Sequence, residues 1–379
     1  MLTLQDSPEE AAFRREIRAW ADAHLPEELR WTEDYDALIA VDRLLSDGGL
    51  LAAGWPAEYG GRGLAPGLVF ILNTELEALG VQRARSPSHQ GVNNFGPALI
   101  EHGTTEQKQR YLPRILDVAE LWCQGFSETE AGSDLASVRT TARVDGDGFV
   151  VDGAKIWTSG ASEADWIYLL VRTGSRAERH RGLSFLVAPM TSDGIAVYPI
   201  EQIVGGSDFC QVTLDEVRVP RANLVGGLGQ GWAVAMTLLS SERLSGRHRY
   251  GLFRRELEML ARVLTDAAGG DWHAVASDGL HHLGRLVADI EGMGALARRT
   301  ESLHAAGQDP GALPSVNKLW WPAAHQRLAE AGLFHASSSG ADPAYWYRQW
   351  LAARPESIYG GAAQIQRNII AERFLGLPR

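Results

Sequence analysis

The chain reads as a multidomain α+β protein in which helices, then strands, then helices follow one another in three blocks. Three observations predict this. Apolar residues recur at helical spacing up to about residue 119 and again after about residue 229, while short β-rich runs fill the stretch between. Asp-Gly pairs break up those runs in the middle block, where they signal hairpins. Finally, 379 residues is long for one hydrophobic core, so two or three domains are expected. The expected divisions are a helical domain over 1–119, a β domain over 120–228 and a helical bundle over 229–379. Segregated blocks of this kind do not build a βαβ sheet.

The elements follow in order. Ser7-Pro8-Glu9-Glu10 supplies an N-cap, a proline at the first helical position and a capping-box glutamate. Phe13, Ile17 and Trp20 then form one stripe facing a core. Further helices are expected in "YDALIAVDRLLSDGG", "VFILNTELEALG" and "TTEQKQRYLPRILDVAE". The period then changes: "TTARVDGDGFVVDGAKIWTSG" holds short β-rich runs broken by Asp-Gly turns. "DWIYLLVRT", "GLSFLVAPM", "GIAVYPIEQI" and "FCQVTLDEVRVP" continue the strands. From about Gly231 the pattern is helical, with breaks at Gly269-Gly270, "GQDPGALP" and "SSSGADP". There is no internal repeat and no low-complexity tract.

Composition excludes several function classes. Hydrophobic content of 45% and charged content of 22% are ordinary for a soluble globular chain. A net charge of −11 disfavours nucleic acid and anionic membrane as general partners, since neither polyanion is drawn to an acidic field. Cys123 and Cys210 make no disulfide framework, fit a reducing compartment and have no metal-ligand spacing, and His281-His282 is no zinc motif. "MLTLQDSPEE" lacks the basic and apolar regions of a secretory signal. "WIYLLV" is too short to span a bilayer, and "LGLPR" is no peroxisomal address. A cytoplasmic protein without a metal is the expectation.

Three motifs carry chemistry. "VGGLGQGW" follows a strand and opens a helix, but Trp232 stands where a dinucleotide fingerprint requires a small residue, so a plain turn is expected. "GFSETEAGSDLASVRTTA" is a polar loop of small residues whose hydroxyls and N–H groups suit a cofactor or thioester. As residue chemistry alone it reads first as an ordinary surface loop. Trp157 in "AKIWTSGASEADW" is likewise either a strand residue in a core or an aromatic wall for a flat ring.

The ordered set of motifs resembles the acyl-CoA dehydrogenase family. The polar loop is similar to that family's "TEPGAGSD" motif, and "KIWTSG" to the motif after it. "VTLDEVRVPRANLVG" resembles its strand-end motif, "LLSSERLSG" the start of its first C-terminal helix, and "SIYGGAAQIQRNIIAERFLGLPR" its last helix. "FGPALIEHGTTEQKQRYLP" agrees in the N-terminal part. The resemblance implies an N-terminal helical domain, a central β-barrel-like domain and a C-terminal four-helix bundle, with FAD as cofactor and acyl-CoA as substrate. It places Ser127 at the flavin pyrimidine edge, Trp157 and Ser159 on the isoalloxazine ring, and Gln364 near the cofactor. Gly132 and Ser133 match positions beside the pantetheine, and Arg243 matches a retained family position. Three departures stand out. Thr129 replaces a proline, Ala362 replaces a threonine, and the segments that bind the ADP half of a neighbouring subunit's FAD are not found between residues 270 and 350.

Desaturating a thioester needs a base at the α-carbon and N–H donors for the developing enolate. In much of the family a glutamate follows the tyrosine of the last motif, but here Tyr359 is followed by Gly360. The Gly360 backbone N–H survives to meet the thioester oxygen, and Glu242 is the candidate base, as in relatives of the isovaleryl and long-chain type. Two carboxylates would compete by like-charge repulsion, so the pair reads as a swap. As residue chemistry alone, Glu242-Arg243 reads as a solvated helix pair, and it is the resemblance that favours catalysis. Arg243, Arg247, His248 and Arg249 are either such a solvated face or, in part, contacts to CoA phosphates.

The expected activity is FAD-dependent α,β-dehydrogenation of an acyl-CoA, passing electrons to an electron-transfer flavoprotein, in a homo- or hetero-tetramer. Two alternatives stay open: a subunit of a hetero-oligomeric dehydrogenase of the steroid side-chain type, and a flavin monooxygenase on the same fold.

Overall fold

Ser7 caps the first helix as its sequence requires, and the polypeptide can be followed from there. The computed structural model describes residues 6–245 and 249–378, and within these not the side chains of 84, 242–245 and 305. The chain forms two compact units, each described by itself. One comprises 1–31, 64–84 and 243–379, the other 32–63 and 85–242.

The helical unit begins with α1 (Pro8–His24), where the Ser7 hydroxyl accepts from the Glu10 N–H and the Glu10 carboxylate accepts from the Ser7 N–H. Phe13 and Ile17 are buried as expected, but Ala21, not Trp20, completes the stripe. At four residues per step the buried positions keep one face, whereas residue 20 has rotated off it. The unit adds α3 (Pro66–Ala78), α7 (Arg249–Ala267), α8 (Ser277–Ala305), α9 (Leu313–Ser339), α10 (Ala344–Ala352) and α11 (Ala363–Arg373). Helices α7, α8 and α9 pack on one another, α3 lies against α7 and α8, and α10 and α11 lie against α9. The breaks fall where the sequence put them: Gly269 and Gly270 end α7 with positive φ, and Gly340 ends α9 in the left-handed region.

The sheet unit carries α2 (Tyr35–Asp47), α4 (Gly96–His102) and α5 (Thr105–Leu116) beside eight strands. These are β1 (Trp122–Gly125), β2 (Thr141–Asp145), β3 (Gly148–Ser159), β4 (Trp166–Arg172), β5 (Leu183–Pro189), β6 (Ile195–Ile200), β7 (Phe209–Pro220) and β8 (Leu224–Val225). Their order is β6-β7-β3-β2-β4-β5-β8, with β1 added in parallel to β4. Helix α6 (Gly231–Ser245) leaves β8 through "VGGLGQ", which is the plain turn and helix start expected.

Asp145-Gly146 makes the tight β2–β3 hairpin, Asp145 opposing Gly148. The Asp-Gly pair further along β3 does not turn the chain. Asp152-Gly153 forms a bulge inside β3, and Thr140 packs so closely on Gly153 that an added Cβ would lie 2.7 Å from its Cα. Strand β4 is buried on both faces. Ile167, Leu169 and Val171 face the core of the sheet, while Tyr168 stacks on Phe95 at 5.4 Å. Phe95 ends a π-helical turn (Gln90–Phe95) and also stacks on Phe185, tying the helical part of this unit to its sheet. Among the described residues, no helix is long and apolar enough to cross a membrane.

Candidate active site

In the sheet unit the polar loop after β1 is held by one carboxylate. Glu128 accepts from the Arg139 N–H at 2.6 Å, the Thr140 N–H at 2.9 Å and the Lys155 ammonium at 2.8 Å. Lys155 is fully buried and donates also to the carbonyls of Phe126 at 3.2 Å and Leu170 at 2.7 Å. Burial pushes the Lys155 ammonium down to about 8, against the opposing pull of Glu128. Burial raises the Glu128 carboxyl, but the charge of Lys155 and the hydrogen bonds from Lys155, Thr140 and Arg139 outweigh it, so Glu128 lies below the ordinary range. The loop's tip is a turn in which the N–H groups of Glu128 and Ala131 each donate to the other's carbonyl, at 3.1 and 3.0 Å. Thr129 thus occupies a turn position that closes without the proline. Gly132 and Ser133 follow it and are exposed. Arg172 fastens the rest of the loop by donating to the carbonyls of Ala136 at 2.7 Å and Val138 at 3.0 Å.

Two of the expected cofactor residues are brought together here. The Ile156 N–H donates to the Ser127 carbonyl at 2.9 Å, which sets Ser127 beside Trp157. Trp157 sits in a second bulge of β3, between the pairs Lys155–Val212 and Thr158–Cys210, with φ of 62°. An L-residue in that region is strained, and a bulky one more so. The residue is 57% exposed, and its ring is met edge-on by Phe209 at 6.4 Å. Strain spent on holding an apolar ring towards solvent is a feature of binding sites more than of cores. Next to it the Thr158 hydroxyl is buried without a partner among the described residues, and Ser159 closes the strand opposite Phe209. An exposed indole on a strand that also carries Ser159 and is bonded to the Ser127 carbonyl fits a flat ring system such as an isoalloxazine.

In the helical unit the segment before α11 is held by a network of buried charges. Glu356, 2% exposed, accepts from Arg249 Nη1 at 3.0 Å and from His325 Nδ1 at 2.9 Å. Its carbonyl accepts from Lys318 Nζ at 2.6 Å. His325 Nε2 faces Glu256 Oε2 at 3.3 Å, and Glu256 accepts from the Tyr345 hydroxyl at 2.8 Å. Burial would lower the His325 imidazole, but the charges of Glu256 and Glu356 push it up to about 10. Arg249 donates with its other arm to the Tyr359 hydroxyl at 3.0 Å. Gly360 follows at φ of 62° and Gly361 at 93°, with the Gly361 carbonyl accepting from Gln366 at 3.3 Å. Gln364 is exposed on the first turn of α11. Arg249 is therefore neither a solvated helix residue nor a free cation for phosphates, although the sequence offered only those two readings. The side chains of Glu242 and Arg243 lie outside the described residues, as do Arg247 and His248; the backbone of 242 and 243 belongs to α6.

Models of the acyl-CoA dehydrogenase N-terminal, middle and C-terminal domains match residues 7–119, 123–217 and 229–375. The chain is 38% identical to "Acyl-CoA dehydrogenase IpdE1" of Mycobacterium tuberculosis, over 97% of each chain. The chain belongs to the acyl-CoA dehydrogenase family. Among solved structures, the "Tcur3481-Tcur3483 steroid ACAD" superposes with a TM-score of 0.87 at 30% identity, over 100% of both chains. The ChsE4-ChsE5 complex of Mycobacterium tuberculosis superposes at 0.82 with 30% identity, again over 100% of both. The chain thus has the acyl-CoA dehydrogenase fold, helical at both ends with a sheet domain between, and is an acyl-CoA dehydrogenase.

Several structural supports of this dehydrogenase were missed in the sequence. Glu128 and Lys155 sit inside the quoted motifs, and a lysine among the inward positions of β3 is a signal of a buried, paired cation. Glu356 stands four residues before Gly360, but its partners His325 and Arg249 lie 31 and 107 residues away, and no local pattern joins them. Glu356 is also the carboxylate nearest in sequence to the glycine that replaces the family's glutamate. Buried, and with each oxygen bound to a cation, it is poorly placed to act as a base.

Proposed function

We propose that this chain removes the α-proton and β-hydride of an acyl-CoA thioester, giving the 2,3-enoyl-CoA, with FAD as cofactor and Glu242 as base. The observation that carries the reading is the strained, exposed Trp157 held beside Ser127, which suits a flavin ring. Ser127, Trp157 and Ser159 would hold the ring system and Gln364 would lie near the cofactor. Bound there, FAD supplies the acceptor for the hydride. Gly132 and Ser133 are exposed on a loop pinned by Glu128 and Arg172, which suits contact with a long polar arm such as pantetheine.

Glu242 on α6 takes the α-proton, and the Gly360 N–H donates to the thioester oxygen as enolate charge grows there. The burial and cation pairing of Glu356 support this division, because the carboxylate nearest in sequence to Gly360 is already engaged. Arg243, its neighbour, is assigned to substrate binding. Anaerobic titration of the purified chain with a panel of acyl-CoAs tests the reading. Bleaching of a bound flavin is expected with at least one member, and Glu242→Gln is expected to abolish it while flavin stays bound. Full turnover in Glu242→Gln would refute the base.

A second reading is favoured by the two structural relatives whose names join two different chains. In it this chain works as one subunit of a hetero-oligomer and gains part of its FAD site from a partner. Purification without stoichiometric FAD, corrected by co-expression with a partner chain, would select it. An electron-transfer flavoprotein is the acceptor expected in either case.

A further inference from the structure

The segment from Glu356 to Gly360 is short, and an unusual share of it is tied to buried charge. Both ring nitrogens of His325 face carboxylates, Nδ1 to Glu356 at 2.9 Å and Nε2 to Glu256 at 3.3 Å. Nδ1 is hydrogen-bonded and Nε2 stands in ion-pair contact, and two carboxylates facing one ring favour the imidazolium. Phe253 stacks on the ring with centroids 4.5 Å apart and fixes its plane. From there the chain of contacts runs one way. Glu356 hands its second oxygen to Arg249, and Arg249 reaches the Tyr359 hydroxyl. The Arg249 guanidinium lies 4.5 Å from the Trp321 ring, and Lys318 lies 4.4 Å from the same ring and 5.1 Å from that of Tyr359. The N–H groups of Ile358 and Tyr359 both donate to the Pro355 carbonyl, at 2.8 and 3.0 Å.

Anchoring the fold alone does not need such a network, since apolar residues of the same volume would serve as well at lower desolvation cost. Its members converge on the one turn that the proposed reaction needs in a fixed orientation. We propose that His325 is a positioning residue which, through Glu356 and Arg249, sets the Tyr359–Gly360 turn so that the Gly360 N–H meets the thioester oxygen of the substrate. This rests on the dehydrogenase reading above and adds residues to it that do not touch the substrate. An oxyanion donor works only when it is preorganised, so loosening the turn weakens the transition state more than the ground state.

The experiment is steady-state kinetics of Glu356→Gln and Lys318→Met against the wild type, as the flavin-loaded enzyme with any co-purifying partner. Rates are normalised to bound flavin, and melting is recorded for each. Expected is a fall in kcat of about tenfold with KM changed by less than about twofold. Lys318→Met keeps both carboxylates paired and guards against a Glu356→Gln chain that does not fold.

The pH profile separates positioning from scaffolding. Removing the Glu356 charge lets the imidazolium of His325 lose its proton at lower pH, so kcat of Glu356→Gln should fall as pH rises above neutrality while the wild type stays level. The charged and titratable groups around this ring and its relay are Glu77 on α3, Arg249 and Glu256 on α7, Lys318 on α9, Tyr345 on α10, and Glu356 and Tyr359 before α11. A wild type that bleaches with acyl-CoA, and variants that melt lower but keep kcat and its pH profile, would overturn the positioning role alone. A wild type that bleaches with no thioester would overturn the dehydrogenase reading and this role with it.

Discussion

Lys155 in the sheet unit and His325 in the helical unit are both buried cations beside carboxylates, yet their pKa values move in opposite directions. Lys155 meets one carboxylate, Glu128, and two carbonyls, and its pKa falls to about 8. His325 meets two carboxylates, and its pKa rises to about 10. Desolvation acts on both; the number of facing charges decides the sign. The sheet cluster thus has an escape route, since Lys155 can surrender its proton. The helical cluster has none, since Arg249 stays charged and His325 cannot be neutral between two carboxylates without loss.

The largest break in this contrast is predicted for Glu356→Gln. It removes the charge shared by Arg249 and His325 and leaves both cations buried without it, at a cost of about 3–5 kcal/mol in unfolding free energy. Urea unfolding of the variant and the wild type measures it. Glu128→Gln should cost less, about 1–3 kcal/mol, because Lys155 then deprotonates in place. Its mark should be local instead. The amides of Arg139 and Thr140 lose their acceptor, so hydrogen exchange there should quicken well before the rest of the sheet. Equal costs for the two variants would contradict the difference drawn between the clusters.

The same contrast sets a pH dependence. His325 stands above its ordinary value of 6.5, so its stabilisation is fully present below about 6.5 and is lost as pH rises to about 10. Lys155 stands below its ordinary value of 10.5. Between about 8 and 10.5 the unfolded chain binds more protons at this site, and stability climbs with pH. Together they predict a fall of about 2 kcal/mol between pH 6.5 and 8 and a near plateau from 8 to 10. Thermal melting across this range is the measurement. His325→Gln should remove the fall. Lys155→Met should extend it to about pH 10, and a wild type that declines without a break would show that one of the two groups is not buried in its charged form.

How much of this was legible beforehand differs between the two regions. The caps, breaks and strands were written locally: Ser7 and Glu10, Gly269 and Gly270, and the Asp145-Gly146 hairpin all act on neighbours in sequence. Asp152-Gly153 has the same letters as that hairpin but bulges instead of turning, because Thr140 crosses at that point and only the tertiary structure reveals it. Ser127 and Trp157 were legible as candidates through motif resemblance. The strain at Trp157 was not, since nothing in "KIWTSG" announces a positive φ. The buried network was illegible for a physical reason. Arg249 looks like one more basic residue on a helix, and only the folded bundle brings Glu356 to it from 107 positions away.

The smallest predicted effect on stability is also the sharpest on function. Trp157 combines a bulky side chain with a φ of 62°, a conformation that costs an L-residue about 1–2 kcal/mol and glycine nothing. The residue is 57% exposed, so truncation forfeits little burial. Trp157→Gly relieves the strain and gives most of that gain back through the greater freedom of glycine in the unfolded chain. The net change should lie within about 0.5 kcal/mol. Replacing a tryptophan at a packed position instead would cost about 3–5 kcal/mol. Retention of flavin should fall sharply in the same variant, read from the ratio of visible to near-ultraviolet absorbance after gel filtration. A large loss of stability would mark Trp157 as core. An unchanged flavin content would remove the indole from the cofactor's wall, and with it the observation on which the proposed function chiefly rests.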